Sequence, residues 1–303
     1  MTIGEQQQAA VATRVDEATG TAERVEFRGA GRERVFSVQY TPATEPVGGL
    51  LVCPALASEF TQNYRREVLL ARRLAEMGFV VERFHYRFTG NSDGDSANLT
   101  FDSMREDAVA ATEHLRGLAP GLPLFLLGTR WGSLVAASAA ASSDAGLVLW
   151  EPELDTARFF KDAFRARLVY DRKRGVEEPL TGAQLIERVR AGDPVEAMGH
   201  TIEPELFHSS EGRTLEGELG STPRAIFVLQ LGGTGVVGQA LSSQIDRWSE
   251  AGFRVDVETV KGDETWWVID ERLNDMGDQP MTKRLIELTS AWLATSVGRQ
   301  VEA

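Results

Sequence analysis

The stretch "LFLLGTRWGSLVAASAA", Leu124 to Ala140, holds the position where this chain would be expected to do chemistry. An apolar run, a Gly-x-Arg-x-Gly turn and an alanine-rich helix have the shape of a nucleophile elbow, a sharp strand-to-helix turn that exposes one side chain at the top of a sheet. Ser, Cys or Asp at that position would attack an electrophilic carbon. Here the position is Arg130, which has no lone pair for attack and keeps its proton at ordinary pH. It offers a fixed cation at a helix N-terminus, where backbone N–H groups already favour negative charge, so the expected chemistry is recognition of a substrate anion. The alternative is an inert ion pair with Asp263 or Glu264 near the end of the chain, or with Glu151 or Glu153 after the next strand.

Aromatic side chains gather near the same edge. Of six tryptophans, Trp131, Trp150, Trp266 and Trp267 follow the C-terminal ends of strands, while Trp248 and Trp292 sit at apolar-face spacing on outer helices. Indoles beside a guanidinium suit a flat or acyl-bearing organic anion, which makes Trp131, Trp150, Glu151 and Trp266 candidate ligand contacts. For Trp150 and Trp267 the plainer reading is packing against a covering segment. His85 and Tyr86 lie where a strand leaves the sheet, and His85 is a candidate acid or base with packing as its alternative. Cys53 ends an apolar run and reads as a buried hydrophobe. Ser133, one helical turn beyond Arg130, faces its own helix rather than a pocket. Arg65 and Arg66, beside Asn63, read as a solvated helix face.

The elements that must position these residues follow from length, charge and periodicity. With 303 residues the chain buries a full core, and its net charge of −13 disfavours nucleic acid and anionic membrane as partners. The expected partner is a small organic molecule, with self-association into a homo-oligomer left open. Four histidines without HExxH spacing or cysteine partners give no metal site, and no cofactor is expected. A single cysteine rules out an internal disulfide. No N-terminal apolar stretch reads as a signal peptide or a membrane span, so a cytoplasmic, bacterial-type protein is expected.

Residues 1–20 are polar and aperiodic and read as a mobile tail. Next comes a hairpin turning at Gly29 to Gly31, and then a strand–helix alternation running to "LVLWEP", the rhythm of a mostly parallel sheet with helices on both faces. Residues 155–221 are charge-rich and mostly helical and read as an inserted cap that holds His200 and His208. The core, 21–154, resumes over 222–297 with two further strand–helix units.

This order resembles the α/β-hydrolase fold of the serine aminopeptidase-like (S33) branch. Within it, "YRREVLLARRLAEMGFVVERFHYRFTGNSDGD" and "TFDSMREDAVAA" resemble the exosortase-system-associated hydrolases, although His85, Phe88 and Asn91 stand where that loop carries Asp, Gly and Asp. The resemblance implies a Ser-acid-His relay whose acid follows the penultimate strand and whose histidine follows the last. "LQLGGTGVVGQAL" offers Thr234 in the first place, and "VKGDETWWV" offers Asp263, Glu264 and Thr265 in the second. All three relay positions are replaced together, while the implied oxyanion donors, the amides of Trp131 and of the turn at Ala55 and Leu56, do not depend on side-chain identity. Two functions follow from this reading. One is an atypical enzyme of bacterial specialised or envelope-related metabolism that binds a carboxylate, thioester or other anionic substrate at Arg130, with Asp263 and Glu264 beside it. The other is a catalytically inactive homologue that binds a ligand or serves as a scaffold.

Overall fold

The structure, a computed structural model, describes residues 12–29, 31, 33–177, 180–197, 199–231, 235–261 and 280–298. Strands β1 (Ala12–Val15), β2 (Ala22–Arg28) and β3 (Val35–Thr41) form an antiparallel ribbon. β1 corrects the expectation of a tail through residue 20. Its four residues pair with β2 from Ala12 opposite Val25 to Val15 opposite Ala22, yet all four are exposed, so no apolar alternation marks them in the sequence.

The alternating units then follow as β4 (Gly48–Cys53), α1 (Ser58–Glu76), β5 (Phe79–Phe84), α2 (Phe101–Leu118), β6 (Leu124–Thr129), α3 (Gly132–Ala140) and β7 (Gly146–Trp150). An insertion holds α4 (Thr156–Lys173), α5 (Gly182–Arg190), the hairpin β8 (Val195–Ala197) and β9 (His200–Ile202), α6 (Pro204–Ser210) and α7 (Leu215–Leu219). The chain returns as β10 (Ala225–Leu231), α8 (Gln239–Glu250), β11 (Arg254–Val260) and α9 (Pro280–Ser296).

The nine-stranded sheet runs β1-β2-β3-β5-β4-β6-β7-β10-β11, parallel from β5 onward. β4, β5, β6 and β7 are buried throughout, as strands covered on both faces must be, and β5 buries the charged pair Glu82 and Arg83 with its apolar residues. One core places Leu126, Leu147 and Leu149 against α2, α3 and the insertion, and the other places Leu127, Val148 and Trp150 against α1 and α9. Period-two alternation along each strand divides these residues between the two faces.

Every residue of α3 is buried, which suits its alanines, because the helix lies between β6 and its neighbours α2 and α7. The insertion is fastened to the core by polar contacts. Arg213 pairs with Asp102 at 3.0 Å and lies over the Phe101 ring at 4.3 Å, and the Phe101 amide donates to Ser209 Oγ at 3.0 Å.

The strand-to-helix turn between β6 and α3 demands glycine on both sides. A Cβ on Gly132 would stand 2.2 Å from the Cys53 carbonyl oxygen, and one on Gly128 would stand 2.4 Å from the Ser133 Cα. Both obstacles are backbone, so no rotamer change relieves them. Gly132→Ala is therefore expected to lower stability by about 3 kcal/mol, the upper range for overpacking, read as a fall in the denaturant midpoint at an unchanged m-value.

Candidate active site

Four loops leave the C-terminal ends of β4, β5, β6 and β7, and each contains a strained residue. Among the described residues the non-glycine positions with positive φ are Ala57 (55°), Phe88 (68°), Arg130 (51°) and Glu151 (42°), one in each loop. Left-handed backbone costs an ordinary residue roughly 1 to 2 kcal/mol, so four such positions along one edge mark a site held in shape by its surroundings.

Arg130 sits at the elbow with only 3% of its surface exposed. Its Nε and Nη2 both donate to Glu59 Oε1, at 3.3 and 3.2 Å, Nη2 also pairs with Glu153, and Nη1 lies 3.7 Å from Glu151 Oε1. Among the described residues, three carboxylates thus surround one guanidinium. Burial works against the Arg130 charge, but the attraction of Glu59, Glu153 and Glu151 outweighs it and holds the proton more firmly than usual. Burial pushes Glu59 upward against the pull of Arg130, and it pushes Glu153 up to about 7. The cluster is built by the turn itself. The Arg130 amide donates to the Trp150 carbonyl at 3.0 Å, the Glu151 amide to the Leu229 carbonyl at 2.8 Å, and the Glu153 amide back to the Arg130 carbonyl at 3.4 Å.

No described side chain at the elbow is poised to attack. Ser133 is buried and its Oγ donates to the Arg130 carbonyl at 2.5 Å, inside its own helix. Cys53 is wholly buried, and burial raises its thiol far above the range in which a thiolate forms. Backbone donors remain at the head of α3, where the Trp131 amide precedes the first intrahelical hydrogen bonds, and at the turn of Ala55 and Leu56. The Tyr86 hydroxyl ties that turn to the next loop by donating to the Pro54 carbonyl at 3.1 Å.

Cavities flank the cluster. One, of about 420 Å³, is lined among the described residues by Arg130, Glu151, Arg158 and Gln230. Another, of about 330 Å³, lies between the Ala55–Ala57 turn and the insertion, with Phe60, Tyr86, Phe88, Leu99, Phe159 and Leu206 as apolar walls and His200 and Thr201 at its rim. Leu56 and Ala55 therefore face a cleft, and Glu151 lines the other.

Other candidates move. Trp150 is not a ligand contact. It is fully buried on the α1 and α9 face, where its Nε1 donates to Thr289 Oγ1 at 3.0 Å. The Trp131 indole is also fully buried, packed by Phe101, Phe159 and Phe160 with ring centres 4.7 to 6.2 Å away, so its contribution to the site is its amide. His85 is 4% exposed among Phe36, Phe60 and Tyr64, and its Nδ1 accepts from the Asn91 amide at 2.9 Å. Burial, aided by Arg83, depresses it to about 4, so it stays neutral and packs rather than shuttles protons. Arg66 is buried, with its Nε donating to Thr282 Oγ1 at 3.2 Å, whereas Arg65 does face solvent. His208 is exposed, its Nε2 3.0 Å from the Arg190 carbonyl oxygen. Thr234, Asp263, Glu264, Trp266 and Trp267 lie outside the described residues. Glu59 was missed by sequence reasoning. An acid in the first turn of a helix reads as a partner for the helix dipole, and only the fold brings it to Arg130.

Residues 55–171 match the family model described as serine aminopeptidase, S33. Among solved structures the chain is similar to Est1E from Butyrivibrio proteoclasticus with bound ferulic acid, at 14% identity and a TM-score of 0.61 over 90% of this chain and 99% of that one. It is also similar to a thermostable carboxyl esterase from Bacillus coagulans in complex with glycerol, at 18% identity and a TM-score of 0.58 over 91% and 99%. A third is the butyrate-bound esterase Est2 from Thermogutta terrifontis, at 13% identity and a TM-score of 0.58 over 92% and 96%. No curated protein sequence matches significantly. The fold is the α/β-hydrolase fold. Among the described residues no helix is long and apolar enough to cross a membrane.

Two measurements probe the cluster. Arg130→Ala strands buried carboxylates and is expected to cost about 3 to 5 kcal/mol in denaturant unfolding. The folded-state value of Glu153, about 7, lies above its ordinary 4.5, so the folded protein holds a proton that the unfolded chain releases. That stabilisation is full below pH 4.5 and is lost as the pH rises through 7. Glu153→Gln keeps the neutral form at every pH, so the parent's melting temperature is expected to decline relative to the variant's between pH 4.5 and 8, by the equivalent of about 3 kcal/mol at most.

Proposed function

We propose that this hydrolase-like chain binds a small organic molecule in the cleft between the strand ends and the insertion, which serves as its cap, and that it acts without a covalent acyl-enzyme. The observation that carries this reading is the ion cluster, in which Glu59, Glu151 and Glu153 occupy the guanidinium at the elbow. A substrate anion at Arg130 would add a further negative group to a guanidinium that already holds three acids among the described residues. The cluster therefore favours the ion-pair alternative over the anion clamp, and ligand selection passes to the cleft walls. Those walls are apolar and aromatic around the turn of Ala55 and Leu56, which suits an uncharged organic body. Glu59 and Glu153, whose charge is tuned by burial, stand behind the elbow rather than in the cleft wall and act by holding Arg130 in place.

The test has two arms. Treatment with a fluorophosphonate probe is expected to leave the intact mass unchanged, and activated esters are expected to give no burst. Titration with 2-phenylethanol, a neutral aromatic probe, is expected to saturate in the parent and to weaken at least about tenfold in Thr201→Trp, which fills the rim of the cleft with an exposed substitution. A stoichiometric adduct on any serine, or no binding of 2-phenylethanol, would overturn the reading.

A further inference from the structure

The outer face of α4 holds cations that no acid among the described residues answers. Residues 156–176 carry seven arginines and lysines against two aspartates, in a chain whose net charge is −13. The buried residues of α4 are Thr156, Phe159, Phe160 and Phe164, so the part of the helix over 165–173 runs on past the core. At about 100° per residue, Arg158, Lys161, Arg165, Val169 and Arg172 fall within an arc of about 80° and along about 21 Å of the axis, on the side away from the buried phenylalanines. Both aspartates are already engaged. Asp162 lies 3.8 Å from Arg158, and Asp171 lies 2.7 Å from Arg167, which turns toward β8 and also pairs with Glu196 at 2.5 Å. Among the described residues the side chains of Lys161, Arg165, Arg172 and Lys173 are exposed and make no ion pair or hydrogen bond. Apolar surface accompanies them. Val169, Tyr170 and Val176, at 48%, 44% and 44% exposure, are three of the five large apolar side chains exposed among the described residues. One such side chain alone is ordinary, whereas three gathered at the end of a basic helix mark a contact surface.

We propose that this face of α4 is a docking surface for a short acidic helix of a partner protein, whose carboxylates meet Lys161, Arg165 and Arg172 and whose apolar side chain meets Val169. The inference stands apart from the cleft reading. Charge complementarity gives the partner its sign, and spacing gives it its shape. Cations three, four and seven positions apart along one stripe, from Arg158 through Lys161 and Arg165 to Arg172, face carboxylates of the same spacing on a helix laid alongside. The partner's size follows from the rest of the surface. Charges in water act over about 8 Å at physiological salt, so a segment lying on the stripe feels its cations alone. A membrane or a nucleic acid extends beyond the stripe and would bring its phosphates against a remainder more acidic than the chain as a whole.

The probe is a fluorescein-labelled helical peptide with glutamates at three- and four-residue spacing on one face around a single leucine, titrated into the full chain by anisotropy. It is expected to bind saturably and to weaken at least about fivefold between about 50 and about 300 mM salt. A peptide of the same composition with the acidic face scrambled is expected to bind at least about fivefold more weakly. Arg165→Glu with Arg172→Glu is expected to weaken the ordered peptide at least about tenfold without moving the melting temperature, because both side chains are exposed. Arg24→Glu with Arg254→Glu, the same change in net charge elsewhere on the surface, is expected to alter binding less than about threefold. Val169→Ser is expected to weaken it about threefold. No binding of the ordered peptide, equal binding of the scrambled one, or equal effects of the two double variants would overturn the proposal. Tighter binding to phosphatidylglycerol vesicles or to duplex DNA would overturn it in favour of those surfaces. A dimer of the free chain that Arg165→Glu with Arg172→Glu dissociates would overturn it in favour of a second copy.

Discussion

A guanidinium that water scarcely reaches can be kept only by acids brought to it, and among the described residues Arg130 obtains them from two separate segments. Glu59 comes from the first turn of α1, while Glu151 and Glu153 come from the chain leaving β7. Coulomb attraction at low local dielectric is strong enough to hold the three together, yet each acid has given up its hydration, so the cluster sits near a balance of large opposing contributions. This explains why its protonation is displaced while its geometry is fixed. It also joins three neighbouring strand ends into one unit, with α1 anchored through Glu59 to the helix that the elbow begins.

The same elbow is a tight strand-to-helix turn with Arg130 at its tip. Gly128 and Gly132 let α3 press against the end of β4, and Arg130 takes the left-handed φ that exposes a side chain there. Neither feature depends on what the side chain is. The Trp131 amide and the Ala55–Leu56 turn therefore retain their places, and Phe101, Phe159 and Phe160 clamp the Trp131 indole beneath the insertion. The backbone frame of the turn is thus independent of the side-chain chemistry it presents.

Much of the architecture could be read from pattern. The hairpin, the strand–helix rhythm and the strand-to-helix turn follow from apolar runs and glycine stops, which are local signals. The errors fall where a long-range contact decides. Glu59 lies 71 positions from Arg130, and no local rule links them. Trp150 and His85 were placed at the correct edge but on a face, or in a packing environment, that only the register of neighbouring strands and loops determines. Arg66 looks like a surface cation because its partner Thr282 belongs to α9, over two hundred positions away. β1 is held on β2 by backbone hydrogen bonds, and such bonds leave no mark on side-chain type.

The strand order carries a further consequence for how the chain reaches this state. β7 is bordered by β6 on one side and by β10 on the other, and the whole insertion separates β7 from β10 in the chain. As the polypeptide emerges from the ribosome, β7 is a bare sheet margin with free amides and carbonyls until residues 225–231 are made. All of the insertion must be synthesised, and can begin to collapse, in that interval. Pairings of such long sequence separation are slow to close, and an apolar strand left open at a margin is a template for a neighbouring chain. The buried strand Gly146–Trp150, which later carries Glu151 into the ion cluster, is thus a segment of the nascent chain that needs shielding.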